Sequence, residues 1–243
     1  MSAFRNLTLL LALGAMSAPL ALAQSSSSSA AATTAAPAQQ SSGAASVQAR
    51  IRARRLQRRT NAIHEAYDHR YEAYSTMGYI RFKPGSNLQK LTMYAWDEGL
   101  TRFYGNRLGI TVDGRGYYGT AFIEPNSSSM GVYKPSVTQF SAMAGPSYRI
   151  YLQPKYAVSA RVLAGFSHGI FSNDFAGNST NAQANGFYAD GNSVAVSAAL
   201  PVDFNVTPHL SARVGPELFY TRFGSENQPS VGFNAGFVYR VGK

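Results

Sequence analysis

Residues 194–206 read VAVSAALPVDFNV, and every second side chain is apolar: Val194, Val196, Ala198, Leu200, Val202, Phe204 and Val206. The residues between them, Ala195, Ser197, Ala199, Pro201, Asp203 and Asn205, are small or polar. A period of two sends alternate side chains to opposite faces of a β-strand. One face of this strand wants an apolar surround, and the other tolerates polar neighbours. A soluble sandwich would turn the apolar face onto a second sheet, and a membrane barrel would turn it onto lipid.

The neighbouring sequence repeats the pattern. Tyr156, Val158, Ala160, Val162, Ala164, Phe166 and Ile170 alternate with Ser159, Arg161, Gly165, Ser167 and Gly169. Leu210, Ala212, Val214, Leu218 and Tyr220 oppose Ser211, Arg213, Gly215, Glu217 and Thr221. Val231, Phe233, Ala235, Phe237, Tyr239 and Val241 oppose Gly232, Asn234, Gly236 and Arg240. Leu108, Ile110 and Val112 oppose Arg107, Thr111, Asp113 and Arg115, and Phe140, Ala142, Ala144, Tyr148 and Ile150 oppose Gln139, Ser141 and Arg149. The stretch around Trp96 is mixed, because Trp96, Leu100 and Tyr104 share their face with Glu98 and Arg102. Its register stays open.

Eight strands follow from this reading, over about 72–82, 91–104, 107–120, 136–152, 156–171, 192–205, 209–223 and 230–241. Their connections alternate in length. Gly105-Asn106, Gln153-Pro154-Lys155 and Val206-Thr207-Pro208 are short. The stretches 83–90, 121–135, 172–191 and 224–229 are longer and rich in turn residues. Short turns at one end and long loops at the other are the layout of an outer-membrane barrel. Most of the strands also reach the roughly 9–11 residues that a tilted spanning strand needs. The expected fold is therefore all-β, an eight-stranded antiparallel up-and-down transmembrane β-barrel over 72–243.

On a closed barrel the polar faces point inward. They carry Asp113, Arg115, Arg149, Arg161, Asp203, Arg213, Glu217 and Arg240. Buried charges must pair, so these residues are expected to form an interior network, with Asp203 joined to Arg161 or Arg213. Eight strands enclose a lumen that side chains can fill, which favours a plugged core over a channel. Pro201 cannot donate to the ladder and predicts a local bulge.

The chain of 243 residues has no Cys, 15 Tyr, 14 Phe, 22 Gly and a formal charge of +10. Without Cys there is neither a disulfide framework nor a cysteine metal site. Much of the positive charge sits in one run: Arg50, Arg52, Arg54, Arg55, Arg58 and Arg59. The N-terminus reads as an export signal, with Arg5, the apolar run LTLLLAL at 7–13, and Ala21-Leu22-Ala23 placing cleavage before Gln24. Residues 24–46 read as a low-complexity tether. Residues 47–71 read as a basic, helical, periplasmic segment suited to anionic headgroups or another cell-envelope polyanion. Export argues against nucleic acid as its partner.

The portion 72–243 resembles the outer-membrane β-barrel domain family, small eight-strand barrels similar to the transmembrane domain of outer-membrane protein A. The matching segments are Gly78-Tyr-Ile-Arg-Phe82, Arg107-Leu-Gly-Ile-Thr-Val-Asp113, Gly145-Pro-Ser-Tyr-Arg149, Thr221-Arg-Phe223 and Gly236-Phe-Val-Tyr-Arg-Val-Gly242. The resemblance implies insertion into the bacterial outer membrane with lipid around the barrel, and it carries no shared catalytic residue. Asn234, Gly236, Tyr239 and Val241 resemble the C-terminal signal read by the barrel assembly machinery, although the usual final aromatic is replaced by Val241-Gly242-Lys243.

No nucleotide loop, zinc signature or nucleophile elbow occurs. No catalytic residue, cofactor or metal is expected. Of the four His, His168 alone lies near a loop end beside Ser167 and Ser172, and it reads as a rim residue rather than a base. The function read from sequence is a non-enzymatic outer-membrane barrel with a structural or surface-interaction role. A small-solute porin and a lipid-modifying enzyme are the alternatives.

Overall fold

The apolar alternation resolves into a sheet that closes on itself. In the computed structural model, β1 (Tyr71–Phe82), β2 (Leu91–Phe103), β3 (Leu108–Thr120), β4 (Ser136–Leu152) and β5 (Tyr156–Ile170) pair in sequence order. They are followed by β6 (Gly191–Ala199), β7 (Val202–Asn205), β8 (Leu210–Thr221) and β9 (Gln228–Val241). Both β6 and β7 lie between β5 and β8, so they are two segments of one stave. The last strand returns to the first, with Tyr79 opposite Phe233 and Tyr71 opposite Val241. The result is a closed antiparallel barrel of eight staves with no free edge. The structure describes residues 40–124 and 131–242. The expected signal peptide, and the tether up to residue 39, lie outside them.

The bulge expected at Pro201 is not found. Arg161 pairs with Ala199 and Val158 with Val202, so the register against β5 is the same above and below the proline. What changes is the hydrogen bonding. Ser159 N–H donates to Pro201 O at 2.9 Å, and Pro201 has no N–H to return. The same happens one pair along, where Leu200 N–H donates to Pro216 O at 3.2 Å. The chain omits two ladder bonds and keeps its register, because a shift would turn every following side chain to the wrong face. The register shift in this part of the wall lies instead in β4, between Arg149 and Tyr151.

The outward faces are apolar, as the alternation requires. Val162, Phe166, Val194, Leu200, Phe204, Leu218, Val231 and Phe237 are all exposed on the outer wall. The mixed strand β2 is placed by its pairing. It buries Leu91, Met93, Asp97, Thr101 and Phe103 and turns Tyr94, Trp96, Glu98, Leu100 and Arg102 outward. Outward aromatics gather at two levels. Tyr79, Tyr94 and Tyr118 stand at successive positions across three strands near the long loops, and Tyr71, Tyr148, Tyr156, Phe204 and Tyr239 lie near the short turns.

The interior divides along its length. Towards the long loops it is apolar, built on Ile80, Phe82, Met93, Leu163 and Phe219. Loop residues Phe171, Phe175, Phe187 and Phe223 cap it. Phe82 lies 6.3 Å from Phe171 and Phe171 5.4 Å from Phe223, centroid to centroid. A short helix, α2 (Ser179–Ala184), packs Ala182 into this cap, and its Asn178 N-cap accepts from Thr180 N–H at 2.9 Å. Towards the short turns the interior is charged.

The helix α1 (Gln40–Tyr67) begins earlier than the expected start at Val47, and its last turns reach the short-turn mouth. It stops where Arg70 becomes part of the sheet. There Arg70 N–H donates to Gly242 O at 2.9 Å and Arg70 O accepts from Phe103 N–H at 2.7 Å. From Val47 on, only the final turns are covered: Ala66 and Tyr67 are buried against Ala157, with Ile63 and Leu152 partly buried beside them.

Candidate functional site: the charged interior and the basic helix at its mouth

The inward positions of β3, β4, β5, β7, β8 and β9 bring all eight charged residues named from the sequence into the lumen. Each of them is at least nine-tenths buried. Glu72 from β1 and Asp97 from β2 join them. The interior set is therefore five arginines and five carboxylates. A balanced set lets charges stay ionised in a lumen that offers little water.

The ten residues form two groups. Nearer the short turns, Glu72 accepts from Arg149 at 2.7 Å, from Arg213, and from Arg240 at 3.4 Å. Asp203 accepts from Arg213 at 2.7 Å and lies 3.6 Å from Arg240. Asp203 is thus paired with Arg213, one of its two expected partners, and not with Arg161. Three cations face two anions here. Midway along the barrel, Arg115 binds Asp113 at 2.7 Å and Glu217, and lies 3.6 Å from Asp97. Arg161 lies 3.4 Å from Asp97. In this group two cations face three anions.

Tyr74 joins the groups. Its hydroxyl donates to Asp113 at 3.0 Å. The guanidinium carbons of Arg161 and Arg213 lie 4.6 and 5.0 Å from its ring centroid. Gly99 makes room for it: a Cβ there would come within 2.3 Å of the Tyr74 hydroxyl oxygen. Ser197 donates to Glu217, and Asn234 donates to the other Glu217 oxygen at 3.3 Å. Every one of the ten charged residues makes an ion pair, while Arg161 Nε and Nη1 are buried without a hydrogen-bond acceptor. Among the described residues, no cluster of three or more His, Asp or Glu could hold a metal.

Tyr67, the last residue of α1, closes the short-turn mouth. Its hydroxyl accepts from Asn205 Nδ2 at 2.6 Å and donates to Gln153 O at 3.0 Å. Arg149 donates to its carbonyl at 3.2 Å, and the Arg240 guanidinium lies 4.8 Å from its ring centroid. One level out, Arg59 donates to Gln153 Oε1 at 2.6 Å. Arg50, Arg52, Arg54, Arg55 and Arg58 are exposed.

At the opposite end, Asp190 ties down the longest loop. It accepts from the backbone of Phe171 at 2.6 Å and Ser172 at 3.1 Å, and from the Ser172 hydroxyl. Tyr188 donates to Glu226 at 2.9 Å. Burial, followed by the neighbouring Glu226, pushes the Tyr188 phenol up to about 12. Ser172 is buried and committed to Asp190. His168 is exposed on the outer face, with Nδ1 2.8 Å from Asn192 Oδ1. His168 faces outward and the Ser172 hydroxyl is taken by Asp190, so these two side chains do not form a nucleophile–base pair.

No family model and no curated protein matches the chain. Among solved structures it is similar to Neisserial surface protein A, at 15% identity over 70% of this chain and 96% of that one, with a TM-score of 0.49. It is also similar to Ail, the attachment invasion locus protein of Yersinia pestis, solved in complex with the heparin analogue sucrose octasulfate. That match has 15% identity over 70% of this chain and 99% of Ail, with a TM-score of 0.43. The outer membrane protein OprG from Pseudomonas aeruginosa matches at 8% identity over 71% of this chain and 96% of that one, with a TM-score of 0.44.

Proposed function

We propose that the protein is a non-enzymatic barrel of the bacterial outer membrane, plugged along its length, with a structural or surface-interaction role. The observation that carries this reading is the filled lumen. Ten paired charges occupy its short-turn and middle levels, an aromatic cap closes the long-loop end, and Tyr67 closes the other. The apolar outer wall between two levels of aromatics is what a lipid surround requires. Short turns and α1 then lie on the periplasmic side, and the loops around Asp190 and Tyr188 face outward, where surface contacts are made. In the same reading, α1 with its exposed arginines meets anionic headgroups or another cell-envelope polyanion. Asn234, Gly236, Tyr239 and Val241 of β9 serve as the signal for the assembly machinery.

The test is conductance of the purified protein in planar bilayers, together with heat-modifiable migration of the outer-membrane fraction and proteolysis of whole cells. The expected result is a heat-modifiable band, cleavage confined to the long loops, and no steady ohmic conductance. Stable conductance would replace the plug with a small-solute porin.

A further inference from the structure

The basic helix does not simply hang below the barrel mouth. Arg59 reaches Gln153 in the β4–β5 turn, and Gln153 Nε2 in turn donates to the Tyr151 hydroxyl at 2.6 Å. The Tyr151 and Tyr156 rings lie 5.8 Å apart, and both are exposed on the outer wall. Arg59 is therefore held at the level of the short-turn aromatics, where a bilayer changes from hydrocarbon to headgroup. Lys155, two residues beyond Gln153 in the same turn, is exposed. Two cations thus flank one patch of the outer wall at headgroup depth.

Above this patch the wall is hollowed. The outward pairs Tyr156–Phe204 and Val158–Val202 lead up from the turn. They end at an apolar recess of about 300 Å³ lined by Ala160, Val162, Ala198, Leu200, Pro216 and Leu218. Two alanines among longer side chains make the hollow, at the place where Pro216 removes a ladder bond. From Lys155 to Ala160 the strand rises roughly 17 Å. With a tilt near 45° that is roughly 12 Å of depth, within the roughly 15 Å of one leaflet's hydrocarbon.

We infer that this surface is a site for one anionic phospholipid of the periplasm-facing leaflet. Arg59 and Lys155 hold its phosphate, and an acyl chain lies in the recess above. The guanidinium of Arg59 has donors left after its bond to Gln153, and it is the side chain suited to a phosphate oxygen pair. The inference rests on the outer-membrane reading and sharpens it, because it names one seat rather than a diffuse basic helix.

The test uses the full-length protein in detergent, titrated with dioleoylphosphatidylglycerol or dioleoylphosphatidylcholine and read by native mass spectrometry. The wild type should retain the anionic lipid about tenfold better, a difference of about 1.4 kcal/mol. R59Q/K155Q should abolish that preference. Ala160→Phe, or the milder Ala160→Leu, should lower retention of both lipids several-fold, with heat-modifiable migration confirming a folded barrel. R50Q/R52Q/R54Q/R55Q should lower the preference less than R59Q/K155Q does. Equal retention of the two lipids, a preference that survives R59Q/K155Q, or indifference to both Ala160 variants would overturn the site. If the preference disappears only in the R50Q/R52Q/R54Q/R55Q variant, the general reading of a basic, lipid-facing helix stands and this site does not. Binding to isolated peptidoglycan without any lipid preference would also overturn it.

Discussion

Replacing Glu72 by Gln tests the interior most directly. Glu72 is 2% exposed, and both of its oxygens are occupied. It is the acid shared by Arg149, Arg213 and Arg240. In E72Q those three arginines would have only Asp203 left as a counter-charge in their group. Removing one partner of a buried ion pair costs about 3–5 kcal/mol, because the remaining charge stays desolvated. Gln keeps the shape and one acceptor oxygen, so the lower end, about 3 kcal/mol, is expected. That is a fall of about a hundredfold in the folded-to-unfolded ratio. The assay is equilibrium urea unfolding in lipid vesicles, followed by the single tryptophan, Trp96, which faces outward. Adding Arg240→Met to E72Q should restore part of the loss, since the two side chains share one network and their effects do not add. A loss below about 1 kcal/mol for E72Q, or strict additivity in the double variant, would refute the account of the interior as a charge-balanced core.

Three further perturbations probe other parts of the molecule. Glu98 faces outward midway between Tyr94 and Arg102, at the depth where lipid is driest. Glu98→Leu should raise stability by about 1–2 kcal/mol in the same unfolding assay, and a destabilised variant would mean that this carboxyl is engaged. Tyr67→Phe removes the hydroxyl that meets both Asn205 and Gln153. It should cost about 1–2 kcal/mol locally, seen as faster hydrogen exchange in residues 63–67 while the strands stay protected; unchanged exchange would refute its role as the closure of the mouth. An ultraviolet titration difference between the wild type and Tyr188→Phe should isolate a phenol that ionises near 12. Because burial raises this pKa, the stabilisation from keeping Tyr188 neutral is full below about 10 and fades as pH rises through 12. A difference midpoint near 10 would mean that the cap over Tyr188 is open.

The stretch 194–206 alone showed a two-faced strand, and the barrel became legible from its repetition. A strict period of two, repeated in β5, β8 and β9, is hard to satisfy in any other way once short and long connections alternate. The eight charged residues assigned inward were legible for the same reason. Glu72 and Asp97 were missed because their strands do not alternate by hydropathy. On β2 the outward row mixes Trp96 and Leu100 with Glu98 and Arg102, so Asp97 could not be assigned a side. The arithmetic of charge held the missing signal: five inward arginines against three carboxylates called for two more acids. The aromatic cap was hidden differently, since Phe171, Phe175, Phe187 and Phe223 come from loop and short helical segments with no period to read. At Pro201 the local rule favoured a bulge, and the wall kept its register because the following residues have more to lose by turning round than one absent hydrogen bond costs.

Glu72 also has a position in time. It sits on the first strand, while Arg213 and Arg240, two of its partners, arrive on β8 and on the last strand, β9. Before the seam between β1 and β9 closes, this acid stands on one margin of the sheet and Arg240 on the other, with Arg213 one strand in. Only when β9 docks beside β1 are all three arginines brought to it. An unclosed sheet would carry a naked carboxylate at one margin and surplus guanidinium groups at the other. The ion cluster therefore acts as a latch across the closing seam. A cylinder joined in the wrong register would leave it unfastened, so the same charges that fill the finished lumen also discriminate against a misjoined one.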